Sequence, residues 1–339
     1  VAREVAAQEL SRLAVEQPFT PCTRVVSDVL GETDQPDKLA MPGNQSLKKR
    51  VWAARASEKG KKLKQGEDIE EPDYSSVSTV CIPKALMKYD DDPFLLYDAG
   101  QPAGEDRFLI FGTGASVQTL ATCSRWFADG SFRISPEPFV QVYTIHGVVA
   151  GYALPLLYAL LPNKKTTTYV QLFNAVRLLV SKVPGVKGVA GAVERISLDV
   201  EFAAYKGVCQ VFPGVAADGC YFHLQQAIMR RIQDSGLTQK YFEDQAFRIR
   251  ARCLGTLSFL PPGSIPGAFE LLRGEFPPGE HHLLSYFEHT WVGELDRRKV
   301  SVTAKGPPKR AAPLFPLEFW STHERALKGD ELTNNIAER

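Results

Sequence analysis

Apolar residues in this chain of 339 residues fall into two rhythms, and the change between them predicts the fold. Helical spacing marks "VAREVAAQELSRLA" at the start and "QSLKKRVWAARAS", where Leu47, Val51 and Ala54 share one side, so two small helices are expected there. Residues 57–75 carry almost no apolar side chains and read as a linker or mobile loop containing a boundary. Beyond it, "PFLLYD" and "RFLIFGT" are short runs rich in Phe, Leu and Ile between turn residues, which suits strands.

From residue 120 the order of elements becomes specific. Three strands follow in succession, "ATCSRWFAD", "FVQVYTIHGVV" and "YALPLLYALLP", the last two joined by a turn around Gly151. In "TTTYVQLFNAVRLLVSKV", Tyr169, Leu172, Phe173, Val176, Leu179 and Val180 form a helical stripe opened by threonines. Then come a short strand "RISLD", a short helix "EFAAYKGVCQVF", a fifth strand "VAADGCYF" and a helix "HLQQAIMRRIQDSG". This βββαβαβα order is that of an α/β, ribonuclease H-like core: a mixed five-stranded sheet with helices on both faces. Residues 240–275 read as helical with a break at Pro261 and Pro262, and "PLEFWSTHERALKGD" reads as one further helix after a Pro/Lys/Arg-rich loop. The expected division is 1–75 helical, basic and linker; 76–235 the α/β core; 236–330 a mostly helical insertion; and 331–339 the start of a last, truncated helix near Asn335. With no signal peptide and no closing helix terminator, the chain is expected to be a piece of a longer protein.

Composition adds little until it is read locally. A hydrophobic content of 44% supports a large core, while 40 basic against 39 acidic residues predicts no partner for the chain as a whole. Locally, Lys48, Lys49, Arg50, Arg55, Lys59, Lys61, Lys62 and Lys64 face only Glu58, and "GEDIEEPD" follows. Such a run suits phosphate contacts, a nuclear-import signal or a solvated surface. The six cysteines show no CxxC pair, which points to a reducing compartment. The most apolar stretch, "VVAGYALPLLYALLP", is broken by Pro155 and falls short of the roughly 20 residues a membrane helix needs, so no span is expected. No HExxH, GxSxG or GxxxxGK[ST] occurs, which removes support for zinc-protease, serine-hydrolase and P-loop chemistry.

In such a core the first and fourth strands lie side by side and parallel, so acids near their carboxyl ends converge where α/β sheets place sites. Asp129 of "WFADGSF" ends the first strand and Asp199 of "RISLDVEF" the fourth. Two carboxylates at short range repel unless a cation lies between them, and oxygen ligands select Mg²⁺ or Mn²⁺. Plainer readings stand beside this one: Asp129-Gly130 as a hairpin turn, Asp199 as a helix cap, and Glu338, three residues after Asn335, as half of a capping box. Asp90, Asp91 and Asp92 read as a solvated turn, and Asp218 sits one strand farther away. Cys220 and His223 form a CxxH pair, only half of a zinc site, readable also as a buried cysteine and a helix-start histidine.

The segments "RFLIFGT", "WFADGSF", "YTIHGVVAGYALPLLYALLPNKKTTTYVQLF", "GCYFHLQQAIMRRIQDSG", "FLPPGSIPGAFELL", "YFEHTWVG" and "LFPLEFWSTHERAL", with "TNNIAE", resemble the transposases of Mutator-like elements, in order from about Cys22 to Arg339. The resemblance implies a DDE-type catalytic core of ribonuclease H-like fold, interrupted by a helical insertion before a glutamate-bearing helix. It places the catalytic, metal-binding acids on Asp129, Asp199 and Glu338, and the site-ordering pair on Cys220 and His223. The second motif reads Asp-Val-Glu where the family shows Asp-Phe-Glu, so Val200 leaves Glu201 as an alternative to Asp199. It implies Mg²⁺ or Mn²⁺, a nuclear location, and DNA as partner, both terminal inverted repeats and target. Phosphate contacts are expected from Lys48, Lys49, Arg50, Arg55, Arg230, Arg231, Arg297, Arg298 and Lys299, with Lys305, Lys309 and Arg310 in the same loop. Homo-oligomer formation is left open. The alternative reading is a domesticated or inactive transposase acting as a DNA-binding regulator.

Overall fold

The computed structural model describes residues 8–9, 11–13, 76–82, 84–90, 92–132, 134–186, 191–295, 310–330 and 332. The chain divides into two units, Val1–Glu71 and Pro72–Arg339. In the first, residues 8–9 and 11–13 are helical, and the Arg12 Nε donates to Glu9 Oε2 at 3.0 Å, one turn away. The helix expected around Leu47 to Ala54, the linker at 57–75, and Lys48, Lys49, Arg50, Arg55, Arg297, Arg298, Lys299 and Glu338 all lie outside the described residues.

The second unit is α/β. After a minimal hairpin of β1 (Lys88–Tyr89) and β2 (Asp92–Pro93), one sheet is built from β3 (Leu95–Asp98), β4 (Leu109–Phe111), β5 (Arg125–Ser131), β6 (Gln141–Val149), β7 (Tyr152–Leu161), β8 (Arg195–Leu198) and β9 (Ala216–Gly219). Its order is β3-β4-β7-β6-β5-β8-β9. Strand β5 pairs antiparallel with β6 and parallel with β8, β8 pairs parallel with β9, and the remaining pairs are antiparallel. The five expected strands are therefore present in the expected pairing, but the sheet has seven: "PFLLYD" and "RFLIFGT" extend it as β3 and β4. The reason is the edge. Strand β7 is ten residues long, and without β4 its outer backbone groups would be left without ladder partners.

Local chemistry explains the hairpin. Ala150 and Gly151 have φ of 50° and 82°, the two left-handed positions that a two-residue turn between β6 and β7 demands. Pro155 has no N–H to donate, and it lies opposite His146, where the register shifts from Ile145. A bulge is where a strand interior accepts proline.

Helix α1 (Gly114–Thr122) does not follow from apolar periodicity, and "ATCSRWFAD" begins in it: Ala121 and Thr122 close α1, and the strand starts at Arg125. The start signal is Thr113, whose hydroxyl accepts the Ser116 N–H at 3.1 Å. Trp126, Ala128, Tyr143, Ile145, Ile196 and Leu198 alternate onto one face of the sheet and bury against α2 (Thr166–Ser181) and α3 (Phe202–Val211). Here Trp126 meets Phe212 edge-on at 5.7 Å, and Tyr143 meets Tyr169 at 5.3 Å.

After β9 come α4 (Tyr221–Asp234), α5 (Thr238–Glu243), α6 (Gln245–Thr256), α7 (Ile265–Gly274) and α8 (His281–Phe287), which pack on one another. Phe269, Phe287, Trp291, Phe315, Phe319 and Trp320 form an aromatic stack continuous with the sheet's core. "PLEFWSTHERALKGD" is two helices, α9 (Leu317–Trp320) and α10 (His323–Lys328), rather than one. The break is made by side chains competing for backbone: Ser321 Oγ donates to Leu260 O at 2.9 Å, and the Thr322 N–H goes to Ser258 O at 2.7 Å.

Helices α2 and α3 touch through Gly207, where an added Cβ would lie 2.9 Å from Tyr169 Cβ. Gly207→Ala should lower the unfolding free energy by about 1–3 kcal/mol in urea denaturation. Gly267→Ala, in α7 with nothing within 4 Å, should instead raise it by about 0.5–1 kcal/mol.

Candidate metal centre

Strand pairing decides what meets at the top of the sheet. The parallel register of β5 on β8 ends at Ala128 opposite Leu198, so the next residue on each strand, Asp129 and Asp199, stands on the other face from the apolar core. Asp129 is still inside β5, opposite Thr144 of β6, so Asp129-Gly130 is no hairpin turn. Nor does Asp199 cap the helix that follows. Glu201 occupies that cap position without a side-chain cap bond, and Asp199 Oδ2 accepts the Gly130 N–H across the sheet at 3.2 Å. The Gly130 contact also explains the glycine: a Cβ there would meet Gln141 Oε1 at 2.7 Å.

His223 completes the cluster. It lies in the first turn of α4, and its Nε2 is 3.8 Å from Asp129 Oδ1. Among the described residues, Asp129, Asp199 and His223 form the one group whose ligand atoms all lie within 4.8 Å of one another. The structure thus separates the CxxH pair. His223 joins the acids, whereas Cys220 is buried at the cap of α4 and is not part of the group.

Electrostatics describe a site short of positive charge. Burial first, and the Asp129 carboxylate second, push the Asp199 carboxyl well above the usual carboxylate range. Asp199 Oδ1 is buried and meets no hydrogen-bond donor among the described residues. On the far side Glu201 is raised by burial, opposed by a hydrogen bond from Tyr169 and by Lys164, whose Nζ is 3.7 Å from Glu201 Oε2. His146, opposite Phe127 one pleat below Asp129, is lowered by burial, with Asp129 pulling the other way. Neither His146 nor this Tyr169–Glu201 arrangement was expected; period-two alternation along "YTIHGVV" carries the only signal for His146.

A corner of two carboxylates and an imidazole, with no cationic side chain in the group, fits a divalent cation. Oxygen donors dominate, which favours Mg²⁺ or Mn²⁺; the imidazole suits Mn²⁺ in particular. Asp218, set aside as one strand farther away, is buried and saturated: Arg195 Nη1 reaches it at 2.5 Å, Ser197 Oγ at 2.6 Å and Arg325 Nη1 at 3.3 Å. Of the basic residues expected on DNA, Arg230 is exposed, bonded to Gln226 at 2.7 Å. Arg231 is half-buried with its guanidinium 5.2 Å from the Tyr286 ring. Arg310 is turned inward onto Glu270 and Glu288.

No family model, curated protein or solved structure matches this chain. No helix among the described residues is long and apolar enough to cross a membrane.

The raised Asp199 carboxyl gives a pH signature. A carboxyl whose folded pKa lies above its unfolded one contributes stability below the ordinary carboxylate range and loses it as pH rises through the folded value. Metal-free Asp199→Asn should therefore melt several degrees above the wild type at neutral pH, the gap closing as pH falls, read by calorimetry. Added Mn²⁺ should raise the wild-type melting point and leave that of the variant nearly unmoved.

Proposed function

We propose that this chain is the catalytic segment of a DDE-type DNA transposase of the Mutator-like kind, built on a ribonuclease H-like core. The observation that carries the reading is the convergence of Asp129 and Asp199, seventy positions apart in sequence, just past the end of the parallel pairing of β5 with β8. The antiparallel β7-β6-β5 run continued by parallel β8 and β9 is the strand arrangement that the core requires. The motif resemblance supplies the reaction class.

In this reading Asp129 and Asp199 hold Mg²⁺ or Mn²⁺ with His223 alongside, and Glu338 supplies the third carboxylate. Leu332 O accepts the Tyr221 N–H at 2.9 Å, in the first turn of α4. The bound ions supply charge neutralisation and water activation for in-line phosphodiester substitution. The chain's own groups do the placing: the Gly130 N–H orients the Asp199 carboxylate, and burial keeps its field unscreened. Hydrolysis at the transposon ends frees a 3′ hydroxyl, which attacks target DNA in a second substitution of the same geometry. DNA phosphates would be held by basic residues, the exposed Arg230 and, in the sequence, the 48–64 cluster among them, and the motif resemblance implies work in the nucleus.

The test uses the complete protein and duplexes carrying the inverted repeats expected beside its coding sequence. Wild type should cleave at the repeat ends with Mg²⁺ or Mn²⁺. Asp129→Asn and Asp199→Asn should each lose about a thousandfold or more in rate while still binding DNA. Cleavage that survives either substitution overturns the assignment, and repeat binding without any metal-dependent cleavage favours a regulator.

A further inference from the structure

Below the carboxylate pair, the same face of the sheet carries a second polar cluster with a different character. Arg325 of α10 is 2% exposed, and its side chain reaches Asp218 Oδ1 through Nη1 at 3.3 Å. Its other nitrogen, Nη2, donates to the carbonyl of Gly219 at 2.8 Å. Asp218 is 3% exposed and already serves Arg195 and Ser197. A buried ion pair of this kind adds little net stability over apolar residues of the same volume, so its value lies in what it specifies.

What it specifies is the turn that carries His223. Three successive residues there are tied by their backbone groups to the rest of the fold. Gly219 O accepts from Arg325, the Cys220 N–H donates to Leu198 O at 2.9 Å, and the Tyr221 N–H donates to Leu332 O at 2.9 Å. Two of these three ties come from the 325–332 segment, and Asp330 of that segment sits 3.6 Å from Arg125 at the start of β5. Phe319 of α9 packs its ring against Gly219, where a Cβ would come within 2.8 Å. Two residues after this anchored stretch comes His223, facing Asp129.

We infer that Arg325, clamped by Asp218, is a positioning residue for His223: it fixes the β9–α4 turn so that the imidazole meets the two carboxylates. The inference rests on the metal-site reading for its consequence, and on the hydrogen bonds alone for its geometry. Arg325→Lys keeps the charge but cannot hold Asp218 and Gly219 O together in one planar fork. Asp218→Asn is a second variant that keeps the shape and loosens the clamp.

The experiment has two readouts on the full chain. The first is the ring signal of His223 by NMR, tractable with six histidines in the chain; it should move in both variants, and not in Lys328→Ala, an exposed site on the same helix. The second is Mn²⁺ affinity, which should fall about tenfold in Arg325→Lys, as it does in His223→Ala, with no further loss when the two are combined. An unmoved His223 signal, or losses that add in the double variant, overturns the inference while leaving the metal site standing. A wild type that binds no Mn²⁺ overturns the metal-site reading, and a displaced His223 signal then still supports the clamp.

Discussion

Two carboxylates held close on adjacent parallel strands are the constraint to which the second unit is fitted. Their ligand atoms lie within 4.8 Å of one another in a partly buried setting, where two like charges repel by about 3–4 kcal/mol or more, against a total stability for a domain of about 5–15 kcal/mol. A fold does not retain such a term by accident, because a single shift of register would remove it. Register is instead pinned from both faces. Trp126 and Ala128 lock β5 into the aromatic core beside Ile196 and Leu198 of β8, and the Gly130 N–H crosses to Asp199. Either a proton or a cation must relieve the repulsion; His223, set beside Asp129, provides a ligand that a shared proton would not need.

The sequence revealed the sheet more readily than its extent. Strands β5 to β9 and helices α2 to α4 follow from periodicity because each buries one face and so writes a two- or 3.6-residue rhythm into the chain. The rhythm is silent about which edge a distant run will join, so the pairing of β4 with β7 could not be read from "RFLIFGT". Helix α1 escaped because its buried residues, Val117, Leu120 and Ala121, are few, leaving Thr113 as the one local cue. In "PLEFWSTHERALKGD", Ser321 and Thr322 bond to carbonyls some sixty residues earlier, and long-range acceptors leave no mark in a local pattern.

At the centre itself, convergence of Asp129 and Asp199 was legible from topology, since parallel neighbours bring equivalent ends together. Their roles were less so. Asp-Gly and Asp at a strand-to-helix junction have ordinary meanings, and only the observed partners exclude them: Thr144 across the ladder for Asp129, the Gly130 N–H for Asp199. The CxxH spacing suggested a unit, yet only His223 joins the acids, while Cys220 is buried at the N-cap of α4.

Asp218 shows what separates a ligand from a structural acid in this fold. Side-chain alternation sets Ser197 beside Asp218 and carries Asp199 to the same face one pleat above, so position alone does not distinguish the two aspartates. Donors do. Asp218 is met by a hydroxyl and two guanidiniums, which leaves it no capacity for a cation and converts it into an anchor for α10. Asp199 accepts the Gly130 N–H on Oδ2, its Oδ1 is buried without a hydrogen-bond partner, and the Asp129 carboxylate stands beside it, so no cationic side chain balances its charge as the guanidiniums do for Asp218. The chain saturates one buried aspartate three times over and leaves an oxygen of its neighbour without a donor, and that is the charge balance the proposed cation would supply.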